Sequence, residues 1–361
     1  MSEAAGKWYI EQLTAPGVLN RNAARFGHWC YQWWKNEDGS FSSLSYAEVW
    51  RIVKELTAGL MDLGLDKGDR AAVMAHTCPE WVHADYSILS GAGVTVCIYP
   101  TLTEDELAFI VNDSGSCFIY VQGEEQLTKV MNVWKKMPAL EKVIVMTDDF
   151  ETCDDRVMTM DELRRRGVKR LAGERLCFEE RWRSVEMTDL MTIVYTSGTT
   201  GMPKGAVHTH LSFNTAVCRD LKMAPTYYEG NVLLSFLPLS HTYERECGHG
   251  CATMAGVTIA YTTPKNIVED LQTFRPHIFM SVPRIYERVY MAMKAMASES
   301  PVKKAIFERA MKTGVKVMEE IADAHGFLAV SEDTDVTEGV GFFLKMRYKP
   351  VSYTHLRAHE T

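Results

Sequence analysis

The sequence predicts an α/β fold in which mostly parallel β-sheets are flanked by helices. Short apolar segments bounded by glycine or proline, such as "GVTVCIYP" and "LMTIVYT", alternate along the chain with segments of helical periodicity. Two capping boxes, Ser45 with Glu48 and Thr103 with Glu106, mark helix starts between such segments. This alternation of strands and helices is typical of a parallel sheet with helical crossover connections.

The predicted elements follow one another along the chain. Asp38-Gly39 is a hairpin signal, and the helix that begins after Ser45 carries apolar residues at helical spacing. The strand "GDRAAVMA" precedes a helix opened by Pro79, and the strands "GVTVCIYP", "CFIYV" and "KVIVMT" come next. Further strands are "LMTIVYT", "NVLLSFLP", "GVTIAY" and "IFMSVP". After Pro283 the spacing of apolar residues predicts amphipathic helices over 284–325.

Composition narrows the class of protein. The chain has 361 residues, 46% of them hydrophobic, and a formal net charge of −8, which indicates a globular, acidic protein and argues against a nucleic-acid binder. The basic segment "RRRGVKR" (164–170) is interpreted as a solvated face. We expect neither a secretory signal nor a membrane-spanning helix, so the nine cysteines indicate a cytoplasmic location. Cys247 and Cys251 have no second pair nearby, and we expect packing there and no metal site.

The segment "YTSGTTGMPKGAVHTH" (195–210) has the composition of a loop that binds phosphate. Its three glycines, the last of which is Gly205, allow positive φ and let backbone N–H groups approach a ligand. Its hydroxyl side chains are donors, and Lys204 supplies a compact positive charge. It is not a Walker A loop, because Pro203 precedes the lysine and a glycine follows it. The alternative is a hydroxyl-rich surface loop without a ligand.

Other polar residues lie near this segment in the sequence. His241 follows the strand "NVLLSFLPLS", where a parallel sheet presents residues to a ligand, although a structural turn residue is the alternative. Tyr243, Glu244 and Arg245 come next, and a salt bridge at a helix start explains the charged pair as well as a functional role does. His208 and His210 flank the glycine-rich segment without an evident task.

Several motifs together resemble one family. "TSGTTGMPKG" resembles the phosphate-binding signature of the adenylate-forming superfamily, which includes acyl-CoA synthetases, adenylation domains of nonribosomal peptide synthetases and firefly luciferase. "LSYAEV", "LGLDKGDRAAVMAHTCPEW", "GAGVTVCIYPTLTEDEL" and "LPLSHTYER" are similar to that family in the same order. Within it, "LPLSHTYER" and "SVPRIYERVY" most resemble the bacterial long-chain fatty-acid–CoA ligases. The resemblance implies the large N-terminal domain of the acyl-CoA synthetase type.

The resemblance implies a two-step reaction. A fatty carboxylate attacks the α-phosphate of Mg-ATP to give an acyl-adenylate and pyrophosphate, and the thiol of coenzyme A then displaces AMP. ATP, Mg²⁺ and coenzyme A are therefore the expected co-substrates. In the family, the histidine that matches His241 lies beside the acyl-adenylate pocket. The residues implied as catalytic are Lys204 and His241, and those implied as nucleotide-binding are Thr196, Ser197, Gly198, Thr199, Thr200, Gly201 and Lys204.

The resemblance also implies a domain organisation. Residues 1–351 are expected to form an incomplete N-terminal AMP-binding domain with a helical insertion at 284–325, and "SYTHLRAHET" (352–361) to be a non-native tail. The Gly-Gly-Ala loop, the Tyr-Gly-x-Thr-Glu motif and the small C-terminal domain of the family are not found in the sequence. Because these groups close and complete the site, we expect this chain to be inactive alone.

Other functions stay open at this point. One is an adenylate-forming ligase for an aryl, short-chain or amino acid, and another is a non-catalytic module that binds nucleotide or acyl groups. The order Pro-Lys-Gly disfavours a phosphate-loop kinase or NTPase. Peripheral membrane contact suits a substrate that partitions into lipid, although no strongly basic amphipathic helix supports it. The oligomeric state is not predicted.

Overall fold

The computed structural model describes residues 10–147, 153–196, 203–223 and 226–321. In these ranges the strands are β1 (Cys30–Lys35), β2 (Phe41–Ser45), β3 (Arg70–Met74), β4 (Val94–Ile98), β5 (Ser116–Val121), β6 (Lys142–Val145), β7 (Val157–Thr159), β8 (Leu190–Thr196), β9 (Lys204–Thr209), β10 (Val232–Ser235), β11 (Thr258–Tyr261) and β12 (Ile278–Phe279).

The helices of the same ranges are α1 (Ala15–Phe26), α2 (Tyr46–Leu63), α3 (Pro79–Ser90), α4 (Glu104–Ser114), α5 (Glu124–Val133), α6 (Met160–Gly173), α7 (Cys177–Arg183), α8 (His210–Met223), α9 (Cys251–Ala255), α10 (Ile267–Phe274), α11 (Pro283–Ala297) and α12 (Pro301–Ile321). A 3₁₀ turn (Trp134–Lys136) follows α5, and a π-helical turn (Glu244–Gly250) precedes α9.

Two sheets organise the strands. The smaller sheet has the order β12-β10-β11-β1-β2, and the larger has the order β7-β6-β5-β3-β4-β8-β9. Among the described strands only the pairs β1–β2 and β8–β9 are antiparallel, so the predicted mostly parallel α/β fold is confirmed. Asp38-Gly39 forms the turn between β1 and β2, where Gly39 has a φ of 84° that favours glycine.

Helix starts follow the predicted capping signals. Ser45 and Thr103 each accept a hydrogen bond from the N–H of the glutamate three residues on, and each glutamate side chain bonds back to the capping residue. Thr159 begins α6 in the same way with Glu162, a third capping box beside the two predicted ones. These caps satisfy N–H groups that a helix start leaves without partners.

The core of the larger sheet lies between its strands and the helices α4 and α5. Val96, Ile119 and Val143 come from three strands of that sheet, are fully buried, and pack with Ile110 of α4 and Val130 of α5. Strands of this kind are apolar on successive residues because helices cover both faces of a parallel sheet. The resulting core fixes the positions of the strand ends, where the site described below lies.

Helices α2 and α6 approach each other closely enough to exclude side chains. A Cβ atom at Gly167 would overlap the carbonyl oxygen of Glu55 and would lie 2.8 Å from the backbone nitrogen of Gly59. Arg164 Nη2 pairs with Glu55 Oε2 at 2.7 Å, and Arg166 Nε pairs with Asp62 Oδ2 at 2.9 Å. The segment 164–170 therefore contacts α2 on one side, while Arg165, Arg166 and Lys169 are exposed, so its interpretation as a solvated face is confirmed in part.

A buried chain of hydrogen bonds joins α3 to the smaller sheet. His83 Nε2 donates to Gln32 Oε1 at 2.8 Å, and Gln32 Nε2 donates to the hydroxyl of Tyr261 at 3.1 Å. That hydroxyl is also hydrogen-bonded to His249 Nε2 at 2.8 Å. Burial lowers the pKa of both histidines to about 3, so both rings are neutral in the folded protein.

The chain divides into two compact units. The first contains both sheets, and the second contains α11 and α12, which pack through the rings of Tyr290 and Phe307, 5.9 Å apart. The helical character predicted for 284–325 is confirmed for its described part. In the described ranges, every helix is too short or too polar to cross a bilayer.

Candidate functional site

The glycine-rich segment joins two neighbouring antiparallel strands. β8 ends at Thr196 and β9 begins at Lys204, and these two residues are partners in the register of the pair. Both are exposed. A hydroxyl group and an ammonium group therefore lie side by side where the segment leaves and rejoins the sheet. The other predicted phosphate contacts lie outside the described residues; they are Ser197, Gly198, Thr199, Thr200 and Gly201.

A cleft of about 420 Å³ lies at the carboxyl ends of β4 and β8. Parallel strands present ligands at this edge of a sheet. Thr196 and Pro203 bring the two ends of the glycine-rich segment to the cleft, and His241 and Thr242 reach it from the turn after β10. Lys204 does not line it. The remaining lining residues, most of them apolar, are Cys97, Tyr99, Leu102, Glu106, Ile110, Val194 and Tyr195.

His241 occupies a tight turn beside the cleft. Its backbone N–H donates to the carbonyl oxygen of Pro238 at 2.9 Å, and its own carbonyl oxygen accepts from the N–H of Arg245 at 3.1 Å. Its ring nitrogen Nδ1 accepts from the N–H of Tyr243 at 3.1 Å. The backbone of His241 is thus bonded on both sides, and its exposed imidazole is oriented by the hydrogen bond at Nδ1. The other ring nitrogen, Nε2, can bond to a ligand.

Glu244 and Arg245 do not form the predicted local salt bridge. Both are buried in the π-helical turn, and their partners lie elsewhere in the fold. Glu244 Oε1 accepts from the hydroxyl of Ser235 at 2.6 Å, and burial raises the pKa of its carboxyl group to about 8. Arg245 pairs with Asp85 of α3, Nη2 to Oδ1, at 2.5 Å. The local interpretation of this charged pair is therefore wrong.

The guanidinium of Arg245 contacts three elements at once. Besides Asp85 of α3, its Nη1 donates to the sulfur of Cys97 on β4 at 3.0 Å and to the hydroxyl of Thr192 on β8. Thr95 completes the cluster by donating to Asp85 Oδ1 at 2.7 Å. The sequence holds no local signal of this cluster, because 160 residues separate Arg245 from Asp85.

Gly205 is packed closely against β8. It lies in β9 without a positive φ, and a Cβ atom there would lie 2.8 Å from Ile193 Cγ2 and 3.1 Å from Tyr195 Cζ. The prediction of a positive φ is wrong for this glycine. The ring of Tyr195 occupies the freed space, and its hydroxyl donates to Asp113 Oδ2 at 2.6 Å. This bond ties the end of β8 to α4, the helix that forms the opposite wall of the cleft.

Replacing Tyr195 by phenylalanine is expected to lower the free energy of unfolding by about 1–2 kcal/mol, because Asp113 loses its donor. Urea denaturation followed by circular dichroism measures this change. Asp113→Asn is the matched control, since its amide oxygen still accepts from the tyrosine. An Asp113→Asn variant that loses more stability than Tyr195→Phe would contradict the assignment of this hydrogen bond.

The flanking histidine His210 has a structural role. Its Nδ1 accepts from the N–H of Ala15 at 3.2 Å, and burial lowers its pKa to about 4. His208 is half-buried, and burial lowers its pKa as well. Neither ring lines the cleft. A neutral, buried imidazole that accepts a backbone hydrogen bond contributes to folding.

Cys247 has acidic neighbours that its spacing from Cys251 does not reveal. Its sulfur and the carboxylates of Asp220 and Glu246 lie within 4.8 Å of one another. Arg219 pairs with Asp220 at 2.7 Å and with Glu246 at 3.6 Å, and its positive charge offsets the charge of the two carboxylates. We assign no metal ion to it.

Comparison with solved structures matches this architecture to one fold. The N-terminal domain of FACL13 from Mycobacterium tuberculosis aligns with a TM-score of 0.60 and 22% identity, over 76% of this chain and 64% of that one. A long-chain-fatty-acid-CoA ligase (FadD1) from Archaeoglobus fulgidus aligns with a TM-score of 0.65 and 19% identity, over 79% and 54%. The predicted fold, the large N-terminal domain of the acyl-CoA synthetase type, is confirmed.

Comparison with known sequences gives the family. The chain is 30% identical over 284 residues to the long-chain-fatty-acid–CoA ligase FadD15 of Mycobacterium bovis, a match that covers 77% of this chain and 45% of that protein. The chain thus spans about half the length of this curated relative. The family model described as "AMP-binding enzyme" matches residues 19–333. The chain therefore belongs to the AMP-binding enzymes, the family that its glycine-rich segment resembles.

Proposed function

We propose that the whole protein activates a long-chain fatty acid with Mg-ATP and transfers it to coenzyme A, and that the 361-residue chain alone is inactive. In the first step a carboxylate oxygen bonds to the α-phosphorus of ATP, and the bond to the leaving pyrophosphate breaks. In the second step the coenzyme A thiol loses its proton and bonds to the acyl carbon, and AMP leaves. The activity of the whole protein is part of this proposal, as is the assignment of residues 1–351 to an AMP-binding domain.

The cleft at the ends of β4 and β8 carries the proposal. Thr196 places a hydroxyl in the cleft, and Lys204 lies next to it on the neighbouring strand, where an ammonium group can offset the charge of a phosphate. Charge gathers on the leaving pyrophosphate as the reaction proceeds, and preorganised donors stabilise it. His241 and Thr242 offer polar groups on the other side of the cleft.

The choice of a long-chain acid rests on two observations. The relative in Mycobacterium bovis is named as a long-chain-fatty-acid ligase. The cleft wall between β4 and α4 is apolar at Leu102 and Ile110, which suits a hydrocarbon. Aryl or short-chain acids are the competing substrates within the family, and a comparison of acyl groups separates them from a long chain.

Binding of acyl-adenylate analogues tests the proposal on the 361-residue chain. Dodecanoyl-sulfamoyl-adenosine is expected to bind more tightly than benzoyl-sulfamoyl-adenosine, because a longer chain buries more apolar surface. Isothermal titration calorimetry measures both affinities. Equal affinity for the two compounds would argue for a different acid, and binding of neither would remove the proposal.

Lys204→Ala is expected to weaken ATP binding by roughly 10- to 100-fold, because a bond from a charged donor to phosphate contributes about 1.5–3 kcal/mol. The same titration with ATP measures the loss. Lys135→Ala is the matched control, since Lys135 is an exposed lysine of the 3₁₀ turn after α5 and should leave the affinity unchanged. An equal loss in both variants would show that Lys204 contributes only general charge.

We also propose a cytoplasmic location. All nine cysteines of the chain lie in the described residues and all are free thiols, as a reducing compartment would keep them. Peripheral membrane contact stays a prediction from the sequence.

A further inference from the structure

The hydrogen bonds around His241 determine where its ring carries a proton. Nδ1 accepts the N–H of Tyr243, and a nitrogen that accepts a hydrogen bond has no proton of its own. The neutral ring therefore carries its proton on Nε2. Because His241 lines the cleft, it meets a ligand there as a hydrogen-bond donor and not as a proton acceptor.

A donor fits the proposed first step better than a base does. Fatty carboxylic acids are ionised at neutral pH, as other carboxyl groups are, so the attacking oxygen has no proton to remove. A donor can instead orient the carboxylate and then bond to the carbonyl oxygen of the acyl-adenylate. The value of such a donor depends on how firmly its position is fixed before the ligand arrives.

The position of His241 is fixed through Arg245. The backbone N–H of Arg245 donates to the carbonyl oxygen of His241 at 3.1 Å, which closes the turn that carries the imidazole. The side chain of Arg245 is 3% exposed and runs the other way, into the cluster with Asp85, Cys97 and Thr192. One residue thus joins the imidazole turn to the interior of the larger sheet.

The partners of this side chain belong to the cleft walls. Cys97 itself lines the cleft, and Thr192 lies on β8, the strand that delivers Thr196 to the same cleft. The ring of Trp81 lies under the guanidinium, 5.3 Å from Cζ to the ring centroid, and restricts its movement. Loss of the guanidinium would remove the group that links the turn of His241 to both β4 and β8.

We propose that Arg245 is a positioning residue that holds His241 over the cleft with its Nε2–H presented to the acyl carboxylate or acyl-adenylate. The identity of that ligand rests on the proposed function, whereas the anchoring of the ring does not. Arg245 touches neither substrate nor phosphate in this arrangement. Its effect is transmitted through the backbone of residues 241–245.

The test uses a double variant, because Arg245→Met alone would leave the buried carboxylate of Asp85 without its positively charged partner and could unfold the protein. Asp85→Asn combined with Arg245→Met removes both charges and keeps an oxygen for Thr95. The matched control combines Glu55→Gln with Arg164→Met, which removes a partly buried carboxylate–arginine pair between α2 and α6, away from the cleft. Circular dichroism confirms that each variant is folded.

Two measurements decide the proposal. Nitrogen-15 NMR of histidine-labelled protein is expected to show one tautomer for His241 in the wild type and in the control, with the proton on Nε2. The Asp85→Asn/Arg245→Met variant should show both tautomers and should bind dodecanoyl-sulfamoyl-adenosine about tenfold more weakly, the value of one hydrogen bond. A wild-type ring protonated on Nδ1 would overturn the proposal, and so would a double variant that keeps one tautomer.

The two readouts also separate this inference from the proposed function. A wild-type protein that does not bind the analogue refutes the proposed function, and the NMR comparison still decides whether Arg245 positions the ring. His241→Ala should lose the same tenfold affinity for the analogue while its affinity for ATP stays within about twofold of wild type. Wild-type affinity of His241→Ala for the analogue would overturn the role of the ring as a donor.

Discussion

Gly167→Ala is expected to destabilise the protein by about 3 kcal/mol or more, enough to remove a large share of the stability of a typical domain. The added Cβ atom would overlap the carbonyl oxygen of Glu55, so α6 would have to move away from α2. That movement also strains the ion pair of Arg164 with Glu55. Urea denaturation followed by circular dichroism measures the loss.

The control for this prediction lies on the same helix. Gly173 ends α6, and a Cβ atom there would meet no other atom within 4 Å. Gly173→Ala should therefore leave stability unchanged or raise it by up to about 1 kcal/mol, because alanine favours helix more than glycine does. If Gly167→Ala were as stable as Gly173→Ala, the close packing of α2 on α6 would be wrong.

The free energy of unfolding is expected to fall steeply as the pH drops below about 6.5. Burial lowers the pKa of His83 and His249 to about 3 and that of His210 to about 4, from an ordinary value of 6.5. Between these values the unfolded chain binds protons that the folded protein does not. Each histidine therefore removes about 1.4 kcal/mol of stability per pH unit below 6.5.

Glu244 acts in the opposite direction. Burial raises the pKa of its carboxyl group to about 8 from an ordinary value of 4.5, so the folded protein binds this proton first as the pH falls. As the pH falls from 8 to 6.5, Glu244 therefore raises stability, and between pH 6.5 and 4.5 its gain offsets the loss from one histidine. The balance of the four groups predicts maximum stability near pH 6.5 and a loss of roughly 3 kcal/mol by pH 5.

Urea denaturation at intervals from pH 8 to pH 5 measures this profile. Replacing His83 and His249 together by glutamine removes two of the titrating groups and should flatten the acid side of the curve. His28→Gln is the matched control, because His28 is exposed and should leave the profile unchanged. An acid side as steep in the double variant as in the wild type would show that other groups cause the loss.

The elements of the fold were predictable because their signals are local. The capping boxes at Ser45 and Thr103, the hairpin at Asp38-Gly39 and the apolar strands each depend on a few adjacent residues. The box at Thr159 has the same local pattern. The close contact of Gly167 with α2 has no such signal, because it depends on residues more than 100 positions away in the sequence.

The candidate site was predictable in its parts but not in its assembly. Thr196, Lys204 and His241 stand out through the motifs around them, and the structure brings Thr196 and His241 to one cleft. The anchoring of His241 was not predictable, because it depends on Arg245 and Asp85, 160 residues apart in the sequence. Their contact follows from how the sheets pack, which no local pattern encodes.

Because β1 pairs with β11, we expect the smaller sheet to fold late during synthesis on the ribosome. The hydroxyl of Thr258 on β11 donates to the carbonyl oxygen of Cys30 on β1, 228 residues earlier. At ordinary rates of translation, β11 is made roughly 11 to 46 s after β1. A two-stranded hairpin is marginally stable by itself, so β1 and β2 wait with an unpaired edge.

Among the described strands, those of the larger sheet all precede those of the smaller sheet that follow β2, since β9 ends at Thr209 and β10 begins at Val232. We therefore expect the larger sheet to form first on the nascent chain and to carry one wall of the cleft before the other exists. The turn with His241 and Arg245, the buried partner of Asp85, are made after the larger sheet. Until residue 245 is made, Asp85 of the nascent chain lacks the arginine that pairs with it in the folded protein. We expect binding by a chaperone to matter most during this interval.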